Sequence, residues 1–199
     1  MGKDIYEERD SKYCYENTNT LINKLNIRDS KVLQKYEAKI TAAKLLALMQ
    51  KGIIGNFDVN HINSIHKYLF EDIYPFAGKY RTENIAKGVF RFAEWEYIEP
   101  ELERLLDELK KENYLENLSK EKLAERLAYY LSELNVLHPY REGNGRTTRE
   151  FIRELALKNE YVLDLRKVSP KEFLDACLKS IVDTEDLTKI LYECLTKKA

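Results

Sequence analysis

Apolar residues recur at helical spacing along most of this chain, and only seven glycines and four prolines interrupt its 199 residues. A helix returns to the same face every 3.6 residues, so that recurrence commits the chain to amphipathic helices sharing a core. Asp29 or Ser30 can cap a helix carrying Val32, Leu33, Tyr36, Ile40, Ala43, Leu46 and Ala47, with Gly52 and Gly55 ending it. Asp58 can start a second through Ile62, Ile65, Leu69 and Phe70. A third is expected over 99–115, on Leu102, Leu105, Leu106 and Leu109. Ser119 caps a fourth, whose Leu123, Leu127, Leu131 and Leu134 share a face. Ser169-Pro170-Lys171-Glu172 is a capping box with proline at the first helical position, and a last helix is expected over 184–195. The expected fold class is all-α, a compact helical domain over 1–199 with no repeat, linker or low-complexity segment. The exception is 84–95, where Val89-Phe90-Arg91-Phe92-Ala93 alternates as a half-buried strand does and Lys87-Gly88 suits a hairpin turn.

Charge excludes some functions. Lys+Arg 33 against Asp+Glu 34 leaves a formal charge of −1, which supplies no global field for nucleic acid or an anionic membrane. Cys14, Cys177 and Cys194 lack metal-site spacing and an even count for pairing. The opening MGKDIYEERD has no signal-type apolar core, and no stretch of about 18 apolar residues occurs. Reduced thiols and a cytoplasmic location are expected, with neither nucleic acid nor membrane as partner. His61 and His66, five apart on a predicted helix, share a face poorly and read as structural.

The chemistry concentrates in His138-Pro139-Tyr140-Arg141-Glu142-Gly143-Asn144-Gly145-Arg146, closed by Arg149. Gly143, Asn144 and Gly145 tolerate the unusual backbone angles that turn successive N–H groups inward, forming a nest for phosphate oxygens. A helical pattern follows through Phe151, Ile152, Leu155 and Ala156, so the positive end of a helix dipole points at the same place. Arg146 and Arg149 share one face a turn in, where planar guanidiniums can hold further phosphates. Glu142 suits Mg²⁺, which is commonly held by one carboxylate plus substrate phosphates. His138, with an ordinary pKa of about 6.5, suits the acceptance of a proton from an attacking hydroxyl. Taken singly, each residue is better explained as a turn, a solvated face or a structural histidine. Their joint spacing points to phosphoryl or nucleotidyl transfer. Neither a Walker nor a Rossmann glycine pattern is present.

Residues 138–149 resemble the motif of the Fic-domain family, His-Pro-Phe, two residues, Gly-Asn-Gly-Arg and a further Arg three on, with Tyr140 in the Phe position. The resemblance implies that His138 deprotonates a target hydroxyl, which attacks the α-phosphate of ATP. It implies that Glu142 holds Mg²⁺, that Gly143, Asn144 and Gly145 cradle the α- and β-phosphates, and that Arg146 and Arg149 reach the β- and γ-phosphates. The outcome is AMP transfer to a protein Ser, Thr or Tyr. The stretch from Phe70 through Phe92 is similar to the family segment leading into a β-hairpin flap, which would make Lys87, Gly88, Val89, Phe90, Arg91 and Phe92 a docking edge for the target's backbone.

Many family members carry an inhibitory [Ser/Thr]-x-x-x-Glu-[Gly/Asn] helix whose glutamate pairs with the second motif arginine, here Arg149. No intact copy occurs, since Ser11 and Ser180 each precede a glutamate one residue too far on. The segments 13–24, 133–135 and 149–152 resemble the branch in which a separate small antitoxin supplies that glutamate, with the ATPase subunits of DNA gyrase and topoisomerase IV as targets. Two rivals use the same residues: transfer of UMP, phosphate or phosphocholine, and a nucleotide-binding module without turnover. Retention of both His138 and Glu142 weighs against the second, because binding alone requires neither.

Overall fold

A computed structural model describes residues 11–88 and 90–198, so residues 1–10 of the N-terminal segment expected over 1–28, and Val89 of the flap expected over 84–95, lie outside the described residues. Among the described residues, seven α-helices follow in chain order: α1 (Ser30–Lys51), α2 (Val59–Phe70), α3 (Ile98–Lys111), α4 (Lys120–Leu137), α5 (Asn144–Lys158), α6 (Pro170–Lys179) and α7 (Glu185–Cys194). Their starts follow local chemistry. The Asp29 carboxylate accepts from the N–H groups of Lys31 and Val32, Asp58 accepts from His61, Ser119 from Lys122 and Ser169 from Glu172. Each such cap satisfies a donor the helix cannot, and contributes about 1 kcal/mol.

α4 and α5 form the middle of the bundle, with α4 against α3 and α7, α2 against α5, and α1 against α2. Leu127 and Leu134 of α4, Phe151 and Leu155 of α5, and Ile62, Ile65 and Leu69 of α2 are fully buried there. Each contributes roughly 1.5–3 kcal/mol by leaving water. Two short antiparallel ribbons complete the architecture. β1 (Ala86–Lys87) pairs with β2 (Phe90–Arg91), placing the expected hairpin beside the end of α4, where the N–H of Ala93 bonds the carbonyl of Val136. The second, β3 (Tyr161–Leu163) with β4 (Leu195–Lys197), has no counterpart in the sequence reading.

Two expectations need correction. The third helix stops at Lys111 rather than Leu115, because Asn113, Tyr114 and Leu115 all take positive φ and turn the chain into a short 3-10 segment. The apolar stripe assigned to α1 is also rotated. Leu33, Glu37, Thr41 and Leu48 face inward, while Val32, Tyr36 and Leu46 stand in solvent. Polar groups won that contest because the inward face of α1 meets a charged site.

Candidate active site

α4 ends at His138, whose left-handed backbone (φ 47, ψ 60) caps the helix by donating its N–H to the carbonyl of Leu134. A loop of five residues then runs to α5, and its shape is set by side chains. Asn144 accepts from the Tyr140 N–H through Oδ1 (2.8 Å) and returns a bond from Nδ2 to the Tyr140 carbonyl (2.7 Å). Arg81, buried and invisible to the sequence reading, donates to the carbonyls of His138 (2.9 Å) and Leu137 (3.2 Å). The Tyr140 ring is buried, and its hydroxyl donates to Asn63 Oδ1 (2.7 Å), so the tyrosine in the phenylalanine position leaves no unpaired oxygen.

His66 lies under the loop. Its ring stacks on Tyr140 at 3.8 Å, Nδ1 accepts from the Gly78 N–H (2.8 Å), and Nε2 donates to the Glu142 carbonyl (2.9 Å). That bonding requires the neutral imidazole. Burial, reinforced by the nearby Arg146 charge, depresses its pKa to about 3 despite the bond to Glu142. So His66 is structural, as expected, but it braces the motif loop.

Gly143 begins α5 with φ +83, and a Cβ there would sit 2.2 Å from the Phe70 ring. Glycine is therefore demanded twice, by backbone angle and by space. The Glu142 carboxylate accepts from the Gly143 N–H (2.8 Å) and lies 3.3 Å from Arg146. Arg146 is gripped from α1, by Glu37 at 2.6 Å and by Thr41 Oγ1 at 3.2 Å, and its guanidinium lies over Phe70 at 4.7 Å. Burial would lower the Arg146 pKa, yet the carboxylates of Glu37 and Glu142 carry it upward. No carboxylate is paired with Arg149 among the described residues; burial pushes its pKa down, partly offset by the Cys177 thiol.

These groups line a cavity of about 560 Å³. His138, Glu142, Gly143, Asn144, Gly145, Arg146 and Arg149 share its wall with Lys87, Phe90 and Phe92. The Phe92 ring stacks on His138 at 3.8 Å, while Phe90 packs edge-on against Phe92. Apolar side chains, among them Leu165, Phe173, Leu174 and Ile181, also line it. A half-open cavity lined by donors, cations and apolar side chains suits an anionic ligand with a flat ring. Every residue expected at the site reaches it except Gly88 and Arg91, which stay on the ribbon outside the cavity lining, and Val89, which is outside the described residues. Sequence reasoning missed Glu37, Thr41, Phe70 and Arg81. The spacing of 33, 37, 41 and 48 on one helical face was an available signal for the first two.

This loop between two helices, closed by a glycine at a helix N-terminus and followed by two arginines, is the signature of one class, and the chain belongs to the Fic/DOC family, which residues 56–156 match. It is 37% identical to the protein adenylyltransferase VbhT of Bartonella schoenbuchensis over 94% of this chain, and spans 39% of that protein's length. It is 36% identical to the probable protein adenylyltransferase y4lH of Sinorhizobium fredii, over 88% of this chain and 90% of that one. The crystal structure of an N-terminal Fic domain of a VirB-translocated Bep effector protein from Bartonella quintana, with bound ADP, superposes with a TM-score of 0.86 at 25% identity, covering 94% of this chain and 95% of the other.

Proposed function

We propose that this chain is a protein adenylyltransferase, moving AMP from ATP to a hydroxyl side chain of a target protein. The observation that carries the reading is the single cavity shared by His138, the Gly143–Gly145 turn and both arginines. ATP lies with its phosphates on the backbone N–H groups at the start of α5, where the helix dipole adds attraction, and its base against the apolar side chains. Arg146 serves the β-phosphate and Arg149 the γ-phosphate, by charge-assisted hydrogen bonds. His138 takes the proton of the target hydroxyl. That oxygen bonds to the α-phosphorus as the bond to the bridging oxygen breaks, and pyrophosphate leaves with its charge held by the arginines.

Among the described residues no group of three or more metal-type side chains exists, so a cage made by protein alone is not available. One carboxylate, Glu142, at the edge of a phosphate nest suits Mg²⁺, which keeps waters and takes the rest of its ligands from substrate phosphates. When bound, the ion neutralises developing phosphate charge. The β1–β2 ribbon, with Lys87, Gly88, Val89, Phe90, Arg91 and Phe92, docks the target's backbone as an added strand. Residues 1–199 work as one unit in the cytoplasm. A small antitoxin supplies the glutamate that covers Arg149, and the ATPase subunits of gyrase and topoisomerase IV are the targets. No helix among the described residues is long and apolar enough to cross a membrane.

The test incubates the protein and its His138→Ala variant with Mg²⁺, a bacterial lysate and ATP labelled on the α-phosphate. Label on a discrete protein band that requires His138 is the expected result. Label arriving from γ-labelled ATP instead overturns AMP transfer in favour of phosphorylation.

A further inference from the structure

Arg146 stands between two carboxylates, and the two are not equivalent. Glu37 holds it at 2.6 Å, Glu142 at 3.3 Å, and the Glu37 side chain is the more buried, 11% exposed against 25%. Glu37 is itself pinned, since the Tyr74 hydroxyl donates to its second oxygen and Tyr74 is packed in the core. Thr41, one turn further along α1, takes the other end of the guanidinium at 3.2 Å. Charges attract more strongly where less water screens them, so the Arg146 charge is committed mainly to Glu37. Without Glu37, the same guanidinium has Glu142 as its remaining carboxylate partner, four residues back on the loop and helix.

We propose that Glu37 is a positioning residue that draws Arg146 away from Glu142, keeping the Glu142 carboxylate able to accept a divalent cation while Arg146 faces the nucleotide. This inference rests on the reading above, in which Glu142 takes Mg²⁺ and Arg146 a phosphate. The arrangement balances charge. Arg146 and a cation on Glu142 would repel each other at close range, and Glu37 is the negative group placed to offset that repulsion. α1 thereby acts as part of the site, through a face the apolar pattern assigned to solvent.

Glu37→Gln keeps an oxygen for the Tyr74 hydroxyl and removes both the charge and the acceptor that hold Arg146. Binding of ADP to the wild type and to this variant is measured by calorimetry, in EDTA and across a Mg²⁺ titration. In EDTA the affinity of the variant for ADP changes little, because the loss of a negative charge near the phosphates offsets the turn of Arg146 toward Glu142. In the Mg²⁺ titration it needs about 10-fold more Mg²⁺ for half of the metal-dependent gain, the scale typical of groups that orient a metal ligand. A change confined to the Mg²⁺ requirement separates this role from a merely structural one, which would weaken binding in both conditions. Equal Mg²⁺ requirement in the two proteins overturns the inference. Tighter binding in both conditions overturns it too, making Glu37 a competitor for Arg146. A wild type whose ADP binding ignores Mg²⁺ overturns the metal reading itself, and the inference with it. Should Glu37→Gln fail to fold, Glu37→Asp, with the charge kept one methylene further from Arg146, is read the same way and shows a smaller shift in the same direction.

Discussion

Two glycines with left-handed backbones mark the two working regions of this protein, and their surroundings differ completely. Gly143 (φ +83) has the Phe70 ring where a side chain would begin, whereas Gly88 (φ +59) has nothing within 4 Å of that position. The first belongs to a loop tied from every side, by Asn144 to Tyr140, by His66 to Glu142, by Arg81 to His138, and by Glu37 to Arg146. The second belongs to a ribbon of two paired residues per strand, anchored where Phe92 and Ala93 bond back to Ile85 and Val136. The contrast teaches a division of labour. Donors aimed at developing charge accelerate a reaction only when they need no rearrangement, so the cradle is over-determined. On the proposed function the ribbon edge accepts another chain's backbone, which needs open hydrogen-bonding groups, and among the described residues its strands pair over two residues each.

The largest effect should come from His138→Ala, which lowers the transfer rate by about 10²–10⁴-fold while leaving nucleotide affinity nearly unchanged. A fall in affinity of similar size would place His138 in the cradle rather than beside it. Gly143→Ala should abolish nucleotide binding by calorimetry and lower stability by about 1–3 kcal/mol in a denaturant titration, since strained φ and overpacking against Phe70 act together. Gly88→Ala sharpens the comparison. It should cost about 1 kcal/mol through backbone angle alone and leave nucleotide binding untouched, while target modification falls. Arg149→Ala should weaken ATP binding by about 10-fold with ADP affected less, the loss expected of one charged hydrogen bond. Equal losses for ATP and ADP would remove its assignment to the last phosphate.

A further effect is a dependence on pH. His66 is held neutral in the fold, with its pKa taken from 6.5 to about 3 by burial. Between those values the unfolded chain binds a proton that the native one does not, so stability is full above about 6.5 and declines as pH falls toward 3. The slope from this one group is at most about 1.4 kcal/mol per pH unit. His66→Gln should remove that slope between pH 6.5 and 5, read as the difference in denaturation midpoint between the two proteins. A slope unchanged by the substitution would show that His66 is not the group responsible.

What was legible in the sequence follows the same division. Helix starts at Asp29, Asp58, Ser119 and Ser169 could be read because capping is a local event of three or four residues. The motif residues were legible because His138 to Arg149 are contiguous and their chemistry is explicit. The braces were not. Arg81 and Glu37 lie 57 and 109 residues from the groups they hold, and nothing in their own neighbourhoods announces a partner so distant. The α1 error has the same origin, since an apolar stripe predicts burial only where burial is apolar, and this helix turns Glu37 and Thr41 inward to meet Arg146. The β3–β4 ribbon was missed because its strands are three residues each, too short to show a period.

The central claim is that the cradle stands ready before any target arrives. A crystal structure of the protein with Mg²⁺ and a non-hydrolysable ATP analogue tests it most directly. The account predicts phosphates on the N–H groups of Asn144 and Gly145, Arg149 on the last phosphate, and a backbone over 138–149 unchanged from the one described. Phosphates bound elsewhere, or a loop rebuilt around the ligand with Arg146 released from Glu37, would contradict it.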